Sequence, residues 1–212
     1  MKIKVCGMKY PVNIQAIQQS EPDFMGFIFF TESPRYVGEK LSASLLNKSD
    51  CKSVGVFVNS SVKEITTLVE KYDLDYVQLH GDESLNFVKE LFKTDIKIIK
   101  AVRIHTAFDW SSIRPFAAFV HYFLLDTQGK SYGGNGYKFD WQVLKNYKET
   151  KPFFLSGGIG SNDVKRIKAL EIPQLEAIDI NSKFEIDPGL KNEELVSTMI
   201  NKLRNETDLS SK

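Results

Sequence analysis

A thiol, an arginine, a histidine and two carboxylates stand at, or shortly after, the ends of short apolar runs in this chain: Cys6, Arg35, His80, Asp126 and Asp179. Asp126 follows Phe123-Leu124-Leu125, where an aspartate is costly to bury unless it is paired or protonated. Two roles fit it. It caps a following turn, or an apolar environment raises its pKa until it donates a proton at neutral pH. Asp179, between Ile178 and Ile180, poses the same question. Cys6 reads either as a small buried hydrophobe or as a base. As a base it needs a perturbed environment, because a thiol with a pKa near ~8.5 is only a few per cent thiolate at neutral pH. His80, in Gln78-Leu79-His80-Gly81, reads either as a satisfied structural histidine or as a catalytic one. Arg35, in Ser33-Pro34-Arg35-Tyr36, is either a solvated surface residue or a rigidly presented fork for a carboxylate.

Anion-binding chemistry has its own candidates. Gly157 and Gly158 sit in Ser156-Gly157-Gly158-Ile159-Gly160, ahead of a helical pattern. Glycine lets backbone N–H groups approach an anion, and a helix N-terminus adds a favourable dipole. Asn181-Ser182-Lys183 offers amides, a hydroxyl and a cation. Gly133, Gly134 and Gly136 lie in the loop Thr127–Lys138, directly after an apolar run.

The apolar runs that must position these groups are Ile3–Cys6, Phe24–Phe30, Val54–Val58, Tyr76–Leu79, Ile96–Val102, Phe119–Leu125, Pro152–Leu155 and Ala177–Ile180. Between them come helical patterns at Val12–Gln19, Ser42–Lys48, Ser61–Tyr72, Glu83–Phe92 with Asp82 as N-cap, Trp110–Ile113, Asp140–Tyr147, Asn162–Leu170 and Asn192–Arg204. Strands alternating with helices predict an α/β fold with a parallel sheet. Eight such units predict a closed (β/α)8 TIM barrel, with the reactive residues at the C-terminal ends of the strands and a phosphate site after strands seven and eight. The expected domain is a single barrel over residues 1–204, followed by a polar tail at 205–212.

Lysine plus arginine number 28 and aspartate plus glutamate 27, a net charge of +1. That balance carries no nucleic-acid footprint, though it leaves room for a local anion pocket. The two cysteines, Cys6 and Cys51, form no CxxC pair or Cys/His ligand cluster, so no metal site is expected. Cys51 precedes its strand and falls at the opposite end of the barrel. The start MKIKVCGMKY has no apolar core of a signal peptide, and no run approaches the roughly 20 residues that span a bilayer. A cytoplasmic protein with reduced thiols is expected, with no membrane partner.

Eight motifs occur in one order along the chain. They are Lys4-Val5-Cys6-Gly7-Met8, Ser33-Pro34-Arg35-Tyr36-Val37, Gly55-Val56-Phe57-Val58-Asn59, Val77-Gln78-Leu79-His80-Gly81, Leu125-Asp126-Thr127, Gly133-Gly134-Asn135-Gly136 with Phe139-Asp140-Trp141, Ser156-Gly157-Gly158, and Asp179 through Gly189. In this the chain closely resembles the phosphoribosylanthranilate isomerases of tryptophan biosynthesis, from Met1 to about Arg204. The resemblance implies a (β/α)8 barrel without metal or organic cofactor. It implies an Amadori rearrangement of N-(5-phosphoribosyl)anthranilate to 1-(2-carboxyphenylamino)-1-deoxyribulose 5-phosphate. By position it makes Cys6 the general base, Asp126 the general acid and Arg35 the ligand of the anthranilate carboxylate. His80 and Asp179 become substrate-binding residues. Gly133, Gly134, Gly136, Gly157, Gly158, Asn181 and Ser182 become the phosphate grip. The partner is then a small phosphorylated molecule, and the protein a monomer or weak homodimer.

Two departures stand out. The family usually has Ser-Ser-Gly where this chain has Asn181-Ser182-Lys183, and Gly-Gly-Thr-Gly where it has Gly133-Gly134-Asn135-Gly136. Lys183 either adds a point charge beside the phosphate, or points to solvent in a loop reshaped to avoid φ > 0. The rival functions are another phosphate-binding barrel isomerase or lyase, and a barrel that binds a phosphorylated ligand without turnover.

Overall fold

Eight parallel strands follow one another in chain order and close on themselves in the computed structural model, which describes residues 1–38, 41–46, 50–126 and 140–205. They are β1 (Lys2–Val5), β2 (Phe24–Ile28), β3 (Lys52–Phe57), β4 (Tyr76–Leu79), β5 (Ile98–Arg103), β6 (Tyr122–Asp126), β7 (Phe153–Ser156) and β8 (Leu175–Ile180). β8 pairs with β1 to shut the barrel, with Lys4 opposite Asp179. Every expected run became a strand, with ends displaced by a few residues. The largest shift is at β6. Its expected first residue, Phe119, instead ends a 3-10 segment.

The α-helices are α1 (Pro11–Gln18), α2 (Ala43–Leu46), α3 (Val62–Tyr72), α4 (Leu85–Phe92), α5 (Val164–Lys168) and α6 (Glu193–Arg204). Two expected helices are 3-10 segments, Trp110–Phe119 and Trp141–Asn146. The first contains Pro115, which has no N–H for a helical ladder. Only Val164–Lys168 of the Asn162–Leu170 pattern is α-helical, after a 3-10 turn at Ser161–Asp163. Asp82 does not cap α4. Ser84 does, its Oγ accepting from Phe87 N–H at 3.3 Å, because Glu83 is turned inward. The chain also adds a two-stranded antiparallel hairpin, β9 (Glu185–Asp187) with β10 (Leu190–Lys191), that the apolar pattern did not announce. Asn47 and Lys48, the end of the second expected helix, lie outside the described residues. So do Gly133, Gly134, Gly136 and all of the expected tail but Asn205.

Strand alternation sorts the side chains into two sets. One set (Ile3, Val5, Phe27, Phe57, Leu79, Phe123, Leu155 and Ile178 among it) packs outward with helix residues such as Ile14, Ile65, Val88, Ile167 and Met199. The other set, Phe24, Val54, Ile99, Ala101, Leu124, Phe154 and Ala177 with Tyr76 and Tyr122 against it, fills the barrel from within. Inward positions two residues further along these strands reach the C-terminal end. There the register places Arg103 opposite Asp126 and Asp126 opposite Ser156.

Candidate active site

A cavity of about 390 Å³ opens at that end. Cys6, Arg35, His80, Asp126, Gly157, Gly158, Asp179, Asn181 and Ser182 all line it, with Gln78, Arg103 and Ser156. The described site residues are therefore brought together. They come from six different strands or the loops that follow them, which is how a barrel collects reactive groups at one end.

Cys6 directly follows β1, and its N–H donates to the Ile180 carbonyl at 2.9 Å. It is buried, as is Lys4, which points the same way two residues earlier. Lys4 Nζ donates to Asp179 Oδ1 at 2.9 Å, and Ser156 Oγ donates to Asp179 Oδ2 at 3.1 Å. Gly26 on β2 leaves the room this group needs. A Cβ there would stand 2.7 Å from the Cys6 sulfur and 3.0 Å from Lys4 Nζ. Burial pushes the Cys6 thiol up, and the Asp179 carboxylate adds to this. The Lys4 and Lys191 ammonium groups act the other way. For Lys4, burial pulls the ammonium down, but Asp179 and Cys6 outweigh it and its pKa lies above the ordinary value.

Asp126 ends β6 and is nearly buried, with Oδ2 3.7 Å from His80 Nε2. Gln78, inward-facing two residues before His80, sits with Nε2 2.8 Å from His80 Nδ1. With the amide donating there, the imidazole proton rides on Nε2 and faces Asp126. Gln78 Oε1 is buried and has no partner among the described residues. The turn carrying His80 is clamped from behind. Glu83 Oε1 accepts from the N–H groups of Asn59 and Gly81, both at 3.0 Å. Glu83 Oε2 takes a bond of 2.9 Å from the buried Lys100.

Arg35 does not stand in solvent. Its Nε donates to both Glu185 oxygens, at 2.9 and 3.0 Å, and Nη2 donates to Oε2 at 2.6 Å. Glu185 Oε1 also accepts from the fully buried Lys191 Nζ at 2.7 Å, and Lys191 in turn reaches Asn181 Oδ1 at 2.7 Å. Burial would raise the Glu185 carboxyl, but Arg35 and Lys191 hold it down at about 2. The β9–β10 hairpin is thereby tied to the loop after β2. Arg35 Nη1 has no hydrogen bond among the described residues.

At the anion end, Gly157 and Gly158 adopt φ of 102° and 63°, which side chains with a Cβ rarely reach. The next glycine is already engaged: Gly160 N–H donates to Asp163 Oδ2 at 2.9 Å, inside its own turn. Lys183 sits exposed in a 3-10 turn, Ser182–Phe184, and is not among the residues with positive φ. The position therefore makes no demand for a glycine.

Lys4, Glu185, Lys191 and Gln78 were not among the expected site residues. Lys4 had a signal. A lysine between Ile3 and Val5 in a strand covered on both faces requires a buried partner. Gln78, between Val77 and Leu79, carried the same one. Glu185 and Lys191 had none, because their hairpin lacks an apolar pattern.

A family model described as N-(5'phosphoribosyl)anthranilate (PRA) isomerase matches residues 3–202. The chain is 40% identical over 208 residues to N-(5'-phosphoribosyl)anthranilate isomerase of Parabacteroides distasonis, covering 97% of this chain and 91% of the relative. Its fold superimposes on the phosphoribosyl anthranilate isomerase of Thermotoga maritima with a TM-score of 0.84, at 28% identity over 96% of this chain and 98% of the other. A solved phosphoribosyl anthranilate isomerase in complex with reduced 1-(o-carboxyphenylamino)-1-deoxyribulose 5-phosphate matches with a TM-score of 0.81, at 26% identity over 96% of this chain and 98% of that one. The chain belongs to the N-(5'-phosphoribosyl)anthranilate isomerase family.

Proposed function

We propose that Cys6 is the general base and Asp126 the general acid of this chain's reaction. The reaction follows from the family. The chain is an enzyme of tryptophan biosynthesis that isomerises N-(5'-phosphoribosyl)anthranilate to 1-(2-carboxyphenylamino)-1-deoxyribulose 5-phosphate. The observation that carries the assignment of roles is the shared cavity, lined both by the thiol that follows β1 and by the carboxyl that ends β6.

The steps suit those groups. Asp126, protonated, donates to the furanose ring oxygen as the C1–O bond breaks, and the anilino nitrogen supplies the electron pair that forms an iminium. The iminium acidifies the proton on C2. The Cys6 thiolate takes that proton, and the C2–H electron pair forms the C1–C2 double bond of an enolamine. Tautomerisation then gives the ketone. His80, 3.7 Å from Asp126, is placed to hydrogen-bond the carboxylate left after proton donation. Glu185 occupies the Nε–Nη2 edge of Arg35, which leaves Nη1 for the anthranilate carboxylate. Gly157, Gly158, Asn181 and Ser182 are the phosphate grip, with Gly133, Gly134 and Gly136 assigned to it by position.

The partner in this reading is a small phosphorylated molecule, met by a monomer or weak homodimer in the cytoplasm. Among the described residues no helix is long and apolar enough to cross a membrane. The test is an assay of anthranilate-substrate fluorescence. Addition of the purified protein should abolish it, with the aminodeoxyribulose phosphate as product. Fluorescence that persists at high enzyme concentration would sink the assignment.

A further inference from the structure

The mechanism asks the most of Cys6, because a thiol in an apolar barrel resists ionisation. What offsets that burial is inside the barrel. Lys4 is fully buried, extends from the same strand on the same face, and borders the same small space beside Gly26 as the Cys6 sulfur. Asp179 anchors its ammonium at 2.9 Å, and Ser156 Oγ fixes the other oxygen of Asp179 at 3.1 Å. The β1–β8 register, Lys4 opposite Asp179, sets that anchor through the closure of the barrel.

We propose that Lys4 is a positioning residue for proton abstraction: its buried ammonium, held by Asp179, stabilises the Cys6 thiolate. The proposal rests on Cys6 as the base. A buried lysine is costly unless it serves its surroundings, and one carboxylate would suffice to neutralise it on the wall of the barrel. Here it lies between a carboxylate and a thiol. The thiol proton leaves to water when the thiolate forms, and the thiolate then takes the C2 proton. Lys4 keeps its own protons throughout.

The charges around the sulfur give the proposal its test. Lys4 on β1 and Lys191 on β10 favour the thiolate, and Asp179 on β8 opposes it. Arg35, after β2, also feels the Cys6 charge. Across the cavity stand His80, Arg103 and Asp126. Removing Lys4 and removing Asp179 should therefore shift the thiol in opposite directions, which loss of packing alone would not do.

The experiment is the pH dependence of Cys6 alkylation by iodoacetamide, read by mass spectrometry in a Cys51→Ser background. Lys4→Met should raise the midpoint by about one pH unit or more. It should also lower kcat at pH 7 at least tenfold, with KM changed less than threefold, and part of that kcat should return at high pH. Asp179→Asn should lower the midpoint. If Lys4→Met alone does not fold, Lys4→Met/Asp179→Asn removes both charges, and its midpoint should lie above that of Asp179→Asn. An unchanged midpoint in Lys4→Met, or equal midpoints in the double variant and Asp179→Asn, overturns the proposal. Failure of the base assignment shows elsewhere, as near-native kcat in Cys6→Ala, and leaves the midpoints where they are.

Discussion

The two ends of the barrel treat charge differently. At the N-terminal ends of the strands, Lys2–Glu176, Lys52–Asp75 and Arg204–Asp23 pair in partial solvent, with side chains 29–54% exposed. At the catalytic end and just beneath it, Lys4–Asp179, Lys191–Glu185 and Lys100–Glu83 pair with side chains 0–8% exposed. Exposed pairs contribute roughly 0–1 kcal/mol and are readily replaced. Buried pairs repay their desolvation only with good geometry and further hydrogen bonds, and removal of one partner leaves an unpaired buried charge. The cysteines follow the same division. Cys51, at the N-terminal end, is pushed up to about 12 by burial and by Asp23 and Asp75, with only Lys52 opposing. Cys6 is also pushed up by burial, but two ammonium groups act against it. The buried pairs lie where the chemistry is, although the Arg103–Asp82 pair on the rim of that end is exposed, and they hold the reactive groups in place.

This contrast is tested hardest at the proposed acid and base. Cys6→Ala and Asp126→Asn should each lower kcat by about 10²–10⁴-fold with the fold retained by circular dichroism, whereas Cys51→Ser should leave kcat unchanged. A Cys51 variant as damaged as the Cys6 variant would erase the distinction between the ends.

Next in size is Glu185→Gln, which strips one carboxylate from two cations. It should cost about 3 kcal/mol in urea unfolding, the scale of a broken buried pair. The pH dependence has a defined sign. Glu185 is held at about 2 against an ordinary 4.5, so its contribution is complete above 4.5 and is lost as pH falls towards 2. Stability of the parent protein should fall more steeply across that window than stability of the variant. Parallel curves would show that the Arg35–Glu185–Lys191 cluster adds nothing.

Arg35→Lys keeps the charge but loses the fork. A fall in kcat/KM of roughly tenfold is expected, about 1.4 kcal/mol of transition-state binding. Steady-state kinetics that match the parent would return Arg35 to a purely structural tie with Glu185.

The opposite end supplies the control. Lys2→Ala should cost less than about 1 kcal/mol and leave kcat untouched, because its pair with Glu176 is partly solvated. Lys183→Gly tests whether burial or mere position at the catalytic end is what counts. Lys183 is exposed, so KM should change by less than about threefold, under ~0.7 kcal/mol. A tenfold rise in KM that shrinks with added salt would place its ammonium on the phosphate.

The barrel was legible in the chain because its determinants are local. Alternating strands such as Tyr76–Leu79, and helices such as Val62–Tyr72 behind the Ser61 cap, carry their period within a few residues. Polar groups at strand ends, Cys6 and Asp126 above all, followed once the strands were placed. Helix starts were less legible. Asp82 was as good a cap by type as Ser84, and the choice fell to Glu83, drawn inward by Lys100 from the next strand.

The number and order of strands, the face on which Cys6, His80, Asp126 and Asp179 converge, and the glycines at the anion end are all written in the order of the amino acids. Which charge meets which is not. Lys4 meets Asp179 across 175 positions and Arg35 meets Glu185 across 150, both through closure of the barrel and the hairpin that follows β8. The difference is one of range. Hydrophobic period and capping act over one turn or one pleat, while a buried charge is satisfied by whatever the closed sheet brings within about 3 Å of it.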